Sequence, residues 1–105
     1  METMTVEILF FEGCPNSDTV LDLVREVLKS EHITAEVRMV EVRDAQDAVA
    51  RRFLGSPTIQ INGRDVEPEA RQREDFGYMC RTYRTASGMA GVPSPQTIIA
   101  AVREG

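Results

Sequence analysis

The sequence holds only two cysteines, Cys14 and Cys80, and one histidine, His32. That is too few donors for the four-ligand site that zinc ordinarily takes, so no metal ligands are assigned on that basis. Positive charge is in short supply. Twelve Lys and Arg face seventeen Asp and Glu, for a formal net charge of −5, which argues against a nucleic-acid partner. The longest apolar run, Ile98-Ile99-Ala100-Ala101-Val102, is far short of the roughly 20 residues of a membrane-spanning helix. Met1-Glu2-Thr3-Met4 has neither the basic stretch nor the apolar run of a leader. A cytoplasmic protein without a membrane partner is therefore expected, a setting where disulfides are uncommon and thiols more often serve catalysis or metal binding. There is no internal repeat, low-complexity tract or linker, and residues 1–105 are read as one domain with an extended segment at 67–92.

Against this background one stretch stands out, Gly13-Cys14-Pro15-Asn16-Ser17. The apolar run Val6-Glu7-Ile8-Leu9-Phe10-Phe11 leads into it and reads as a strand over residues 5–11, buried on both faces. Val20, Leu21, Val24, Val27 and Leu28 follow at helical spacing. Cys14 thus lies where a buried strand meets a helix. Gly13 permits the sharp turn, and Pro15 suits the first helical position. That arrangement predicts Cys14 at the N-cap, facing unsatisfied amide N–H groups that favour a thiolate. A helix dipole contributes only about 0.3–1 kcal/mol. Hydrogen bonds to sulfur from the Asn16 and Ser17 amides and the Ser17 hydroxyl are expected to supply the rest.

Residues 35–42 read as a second strand. Asp44 is a suitable N-cap for a helix over 45–54 that Gly55 closes. This strand–helix rhythm implies an α/β fold with a right-handed βαβ unit and parallel strands. Thr58-Ile59-Gln60-Ile61, Asn62-Gly63 and Arg64-Asp65-Val66 form a hairpin signal, with Pro57 at the strand start. The polar segment 67–92 is the least legible; residues 78–83 read as a short helix or irregular chain, and Arg71, Arg73, Arg81 and Arg84 as a solvated face. Tyr78 and Tyr83 are expected to pack that segment down. Ser94-Pro95 opens a last helix with Ile98, Ile99 and Val102 on one face. His32 reads as a surface residue near a helix C-terminus.

The order β-α-β-α-β-β-α, a cysteine at the first strand–helix junction and a proline opening the third strand together resemble the thioredoxin-like superfamily, over about residues 5–66 and the last helix. Gly13-Cys14-Pro15-Asn16-Ser17 resembles its active-site motif, and Phe53-Leu54-Gly55-Ser56-Pro57-Thr58 its cis-proline loop. The resemblance implies a four-stranded mixed sheet flanked by helices. It implies Cys14 as nucleophile, with Ser17 beside it, and Pro57 in the cis form. Pro15, Asn16, Ser56, Pro57 and Thr58 would contact substrate, the Ser56 backbone pairing with it. Ser17 stands where the family's second motif cysteine would be. That layout is similar to monothiol glutaredoxins, and dithiol chemistry within the motif is absent.

Three functions follow from these residues. In the first, Cys14 attacks a protein or small-molecule disulfide as a thiol–disulfide oxidoreductase or thiol-dependent reductase, and Cys80 or glutathione as co-substrate resolves the product; no bound cofactor is required. In the second, Cys14 and Cys80 capture a soft metal or metalloid such as mercury or arsenic without turnover. The third is a redox-inert thioredoxin-like interaction module. A buried, inert thiol is the alternative for each cysteine. The segment 67–92 is expected to fold back over the Cys14 end of the sheet and bring Cys80 towards it. Oligomeric state is left open.

Overall fold

A computed structural model describes residues 3–104; Met1 and Glu2, on which part of the leader reading falls, lie outside the described residues. The chain builds a four-stranded mixed sheet in which the first strand in sequence lies between the second and the third, and the fourth is at the edge beyond the third. The central strand β1, Met4–Phe10, runs parallel to β2, Ala35–Glu41, in register from Met4 opposite Ala35 to Phe10 opposite Glu41. On its other side β1 pairs antiparallel with β3, Thr58–Ile61, and β3 pairs antiparallel with β4, Arg64–Asp65. Asn62 and Gly63, with φ of 51° and 83°, form the tight turn between β3 and β4.

Helices cover both faces. Helix α1, Ser17–Ser30, connects β1 to β2 and buries Val20, Val24, Val27 and Leu28. These residues join Val6, Ile8, Ile59, Ile61 and the buried face of α3, Pro95–Glu104, in the main core. Each such side chain contributes about 1.5–3 kcal/mol by leaving water. On the opposite face Leu9, Val42, Ala48 and Phe53 form a smaller cluster under α2, Ala45–Ala50. Because β1 carries side chains into both layers, its polar alternation is nearly absent.

Helix α2 is shorter than its periodicity suggests. Arg52 takes a left-handed φ of 56°, and the Arg52 and Phe53 amides bond back to the Val49 and Ala48 carbonyls. This is a Schellman closure in which Phe53 reaches back onto Ala48. Gly55 is therefore not the helix stop. The sole histidine has the same structural role at the end of α1. His32 has φ 54°, and its amide and that of Ile33 cap the Lys29 and Leu28 carbonyls. Asp44 does cap α2, its carboxylate accepting from the Asp47 amide at 2.7 Å.

The segment after β4 differs most from expectation. A single 3-10 turn spans Pro68–Ala70, an irregular stretch follows, and a hairpin forms from β5, Tyr83–Thr85, and β6, Gly88–Ala90. Residues 78–83 form no helix. The Met79 carbonyl and the Arg81 amide instead pair with the backbone of the loop before β3.

Candidate active site

Phe11, Glu12, Gly13 and Cys14 make a tight turn at the end of β1. The Cys14 amide donates to the Phe11 carbonyl at 3.2 Å, and Gly13 takes φ 87° at the third turn position. A second turn precedes α1, so Asn16 rather than Cys14 is the N-cap, and it makes no side-chain cap bond. The first helical bond runs from the Val20 amide to the Asn16 carbonyl. The expectation of Cys14 at the N-cap is thus corrected. The Cys14 amide is committed to the turn with Phe11, and a second turn over Pro15 and Asn16 intervenes before the first helical bond, so the helix starts downstream. The Ser17 hydroxyl donates to the Cys14 carbonyl oxygen at 3.2 Å, so it braces the turn instead of the sulfur. Cys14 is buried, with 9% of its surface exposed, and both cysteines are free thiols.

The loop before β3 lies alongside this turn. The Ser56–Pro57 bond is cis. The Ser56 hydroxyl accepts from the Phe11 amide at 3.3 Å, tying the loop to the residue that also anchors Cys14. Among the residues assigned to substrate contact, Pro15 is exposed and Asn16 half-buried, whereas Ser56, Pro57 and Thr58 are buried. Thr58 is spent internally: its hydroxyl donates to the Gly55 carbonyl at 2.6 Å and accepts from Arg81 at 3.2 Å.

The segment 76–83 fastens onto the same loop. Ser56 pairs with Cys80 as an isolated parallel bridge: the Ser56 amide donates to the Met79 carbonyl at 2.8 Å, and the Arg81 amide to the Ser56 carbonyl at 3.0 Å. The Gly77 amide bonds to the Phe53 carbonyl, and the Phe11 and Tyr78 rings pack at a tilt of 37° with centroids 4.9 Å apart. The Arg52 guanidinium lies over the Phe76 ring at 4.9 Å. Cys80 itself is exposed, flanked by exposed Tyr78 and Met79.

Arg81 does not lie on the solvated face expected for it. It is buried, with 4% of its surface exposed. Its guanidinium makes two hydrogen bonds to Asp65, at 2.7 and 2.9 Å, and one to Glu67 at 3.0 Å. It also stacks 4.4 Å from the Tyr83 ring centroid. Burial pulls the guanidinium towards losing its proton, but the Asp65 hydrogen bonds and the surrounding negative charge outweigh it and raise its pKa. The signal for this cluster was present but faint. Arg81 and Tyr83 are two apart, so in an extended chain they share a face, and two acids follow the Asn62-Gly63 turn.

Tyr83 closes the cluster. It is fully buried and its hydroxyl donates to the Pro57 carbonyl at 2.5 Å. Burial pushes its phenol well above the ordinary tyrosine range; Arg81 opposes the shift, while Asp65, Glu67 and Cys14 add to it. The folded state thus holds the phenolic proton more tightly than the unfolded chain. Its contribution is full below about pH 10, the unfolded value, and is lost as pH rises from there through the higher folded-state pKa. Tyr83→Phe is expected to remove this alkaline loss and to cost about 1–3 kcal/mol at neutral pH, because the Pro57 carbonyl loses its donor. Urea titrations at neutral and alkaline pH check both.

A parallel β1-α1-β2 crossover, an antiparallel β3-β4 pair and a cysteine turn packed against a cis-proline loop define a thioredoxin-like α/β protein. A family model described as Thioredoxin domain matches residues 4–66, and the chain belongs to that family. The matched stretch ends at Val66, so the segment carrying Cys80, Arg81 and Tyr83 lies beyond it. No curated protein and no solved structure matched the chain. No helix among the described residues is long and apolar enough to cross a membrane.

Proposed function

We propose that this protein exchanges thiols and disulfides, with Cys14 as the attacking thiol and Cys80 as a built-in second thiol. The carrying observation is the single residue that links them: Ser56 pairs with Cys80 through its backbone and holds Phe11, the anchor of the Cys14 turn, through its hydroxyl. The backbone pairing of Cys80 with Ser56, and the exposure of its thiol, support a route from Cys80 to the Cys14 turn.

The Cys14 thiolate attacks one sulfur of a substrate disulfide. The S–S bond breaks, and the second sulfur leaves as a thiolate and takes up a proton. The Cys80 thiolate then attacks the Cys14 sulfur of the mixed disulfide. The first substrate sulfur leaves in the same way, and a Cys14–Cys80 disulfide remains. The substrate has gained two electrons. Two external thiols, such as two glutathione molecules, return them to the protein and become one disulfide.

Mild oxidation of the purified protein, followed by peptide mapping, tests the assignment. An intramolecular Cys14–Cys80 bond is expected, together with accumulation of the Cys14 mixed disulfide in Cys80→Ser. Adducts or dimers through Cys14 alone, with Cys80 unmodified, would transfer the resolving role to glutathione. A Cys14 that forms no adduct in the folded protein would defeat the exchange reading altogether.

A further inference from the structure

Ser56 is tied to the Cys14 turn through its hydroxyl bond to the Phe11 amide, and its backbone edge is already occupied. Its N–H is taken by the Met79 carbonyl and its C=O by the Arg81 amide, both from this chain. We infer that residues 79–81 are a permanent occupant of this edge, and that they restrict the substrate to small-molecule disulfides, which reach Cys14 without pairing their backbone at Ser56. The inference rests on the exchange chemistry proposed above and specifies its substrate class.

The occupant is built in, since it is anchored on both sides of Cys80. Upstream, the Gly77 amide holds the Phe53 carbonyl. Downstream, Arg81 is clamped by Asp65 and Glu67, and Tyr83 by the Pro57 carbonyl. Gly55 is shaped to receive it. A Cβ at Gly55 would lie 2.9 Å from the Arg81 Cβ and 3.1 Å from the Met79 carbonyl oxygen, too close for either to remain in place. An incoming polypeptide would have to break two backbone hydrogen bonds and displace a buried ion cluster before forming two equivalent bonds of its own. A small disulfide faces none of this. The Cys80 thiol is free and exposed, and in the exchange chemistry proposed above it completes the reduction.

Two symmetrical disulfides separate the cases: that of N-acetylcysteine amide, and that of an unstructured seven-residue peptide with a central cysteine. Rate constants for their reaction with the reduced protein are each divided by those for free glutathione, which removes intrinsic differences in reactivity. The normalised peptide rate is expected not to exceed that of the capped cysteine. A peptide preference of about threefold or more, the worth of one net backbone hydrogen bond, would overturn the inference while leaving the exchange chemistry intact. If neither disulfide reacts faster than with Cys14→Ser, the exchange reading fails and this inference with it. Amide hydrogen exchange supplies a readout independent of activity: slow exchange at Ser56 and Arg81 supports the seated segment, and exchange at the free-peptide rate overturns it.

Discussion

Arg81→Leu is expected to cost about 3–5 kcal/mol of stability, a large part of the roughly 5–15 kcal/mol that holds a domain of this size together. The loss arises less from the ion pair than from what remains when it is broken. Asp65 is 8% exposed and would be left without the guanidinium that donates two hydrogen bonds to it. Glu67 and the Thr58 hydroxyl would each lose a donor as well. The pair itself is a weaker source of net stability, because burying two charges costs much of what their attraction returns. In addition, the Arg81 Nε is buried and finds no partner among the described residues. Arg81→Leu combined with Asp65→Leu should therefore recover part of the loss, since the uncompensated carboxylate is then gone. Arg81→Lys should fall between, keeping the charge but not the paired donors. Urea unfolding of the three variants checks the order. Equal stability of Arg81→Leu and the parent would mean that the cluster contributes nothing.

Gly55→Ala is expected to destabilise the protein by about 2–5 kcal/mol, combining backbone strain with overpacking. Gly55 has φ 115°, a conformation closed to residues with a Cβ, and the new methyl group would press on the Arg81 Cα and Cβ and the Met79 carbonyl. These atoms belong to or adjoin backbone and cannot rotate aside. The segment 79–81 must lift, so amide exchange at Ser56 and Arg81 should accelerate more than exchange in β1. Gly91→Ala is the control. Its Cβ would meet only the end of the Asn16 side chain, which can turn away, so the loss there should be small. Equal effects of the two substitutions would show that close packing of 79–81 on Gly55 is not the cause.

The elements built from local pattern were legible. Val6, Ile8 and Leu9 mark a strand buried on both faces, the valines of α1 repeat at helical spacing, and Asn62-Gly63 admits little but a tight turn. The ends of elements were less so. The last turn of α2 is set by Phe53 entering the cluster of Leu9, Val42 and Ala48, and the distant members Leu9 and Val42 are not visible in the helical spacing of residues 45–54. Cys14 was placed at the correct junction but at the wrong position relative to the helix. The turn-closing bonds to Phe11 and Ser17 compete with the cap arrangement, and spacing alone does not rank them.

By itself the sequence determined the α/β order, the parallel β1-α1-β2 unit and the turn at Asn62-Gly63, whereas the mixed sheet and the meeting of Cys14 with the Ser56–Pro57 loop were implied only by the resemblance to thioredoxin-like proteins. The first three depend on short-range periodicity and turn chemistry, which a linear chain displays openly. The tertiary structure alone decided what residues 76–83 do. Arg81 reads as a surface charge until Asp65 and Glu67, 14 to 16 positions earlier, are folded beneath it. Cys80 reads as an isolated thiol until the Ser56 backbone pairs with it across 24 positions. Such contacts leave no period in the sequence, because a buried charge is tolerable only once its partners have arrived, and those partners are set by the path of the chain rather than by its neighbours.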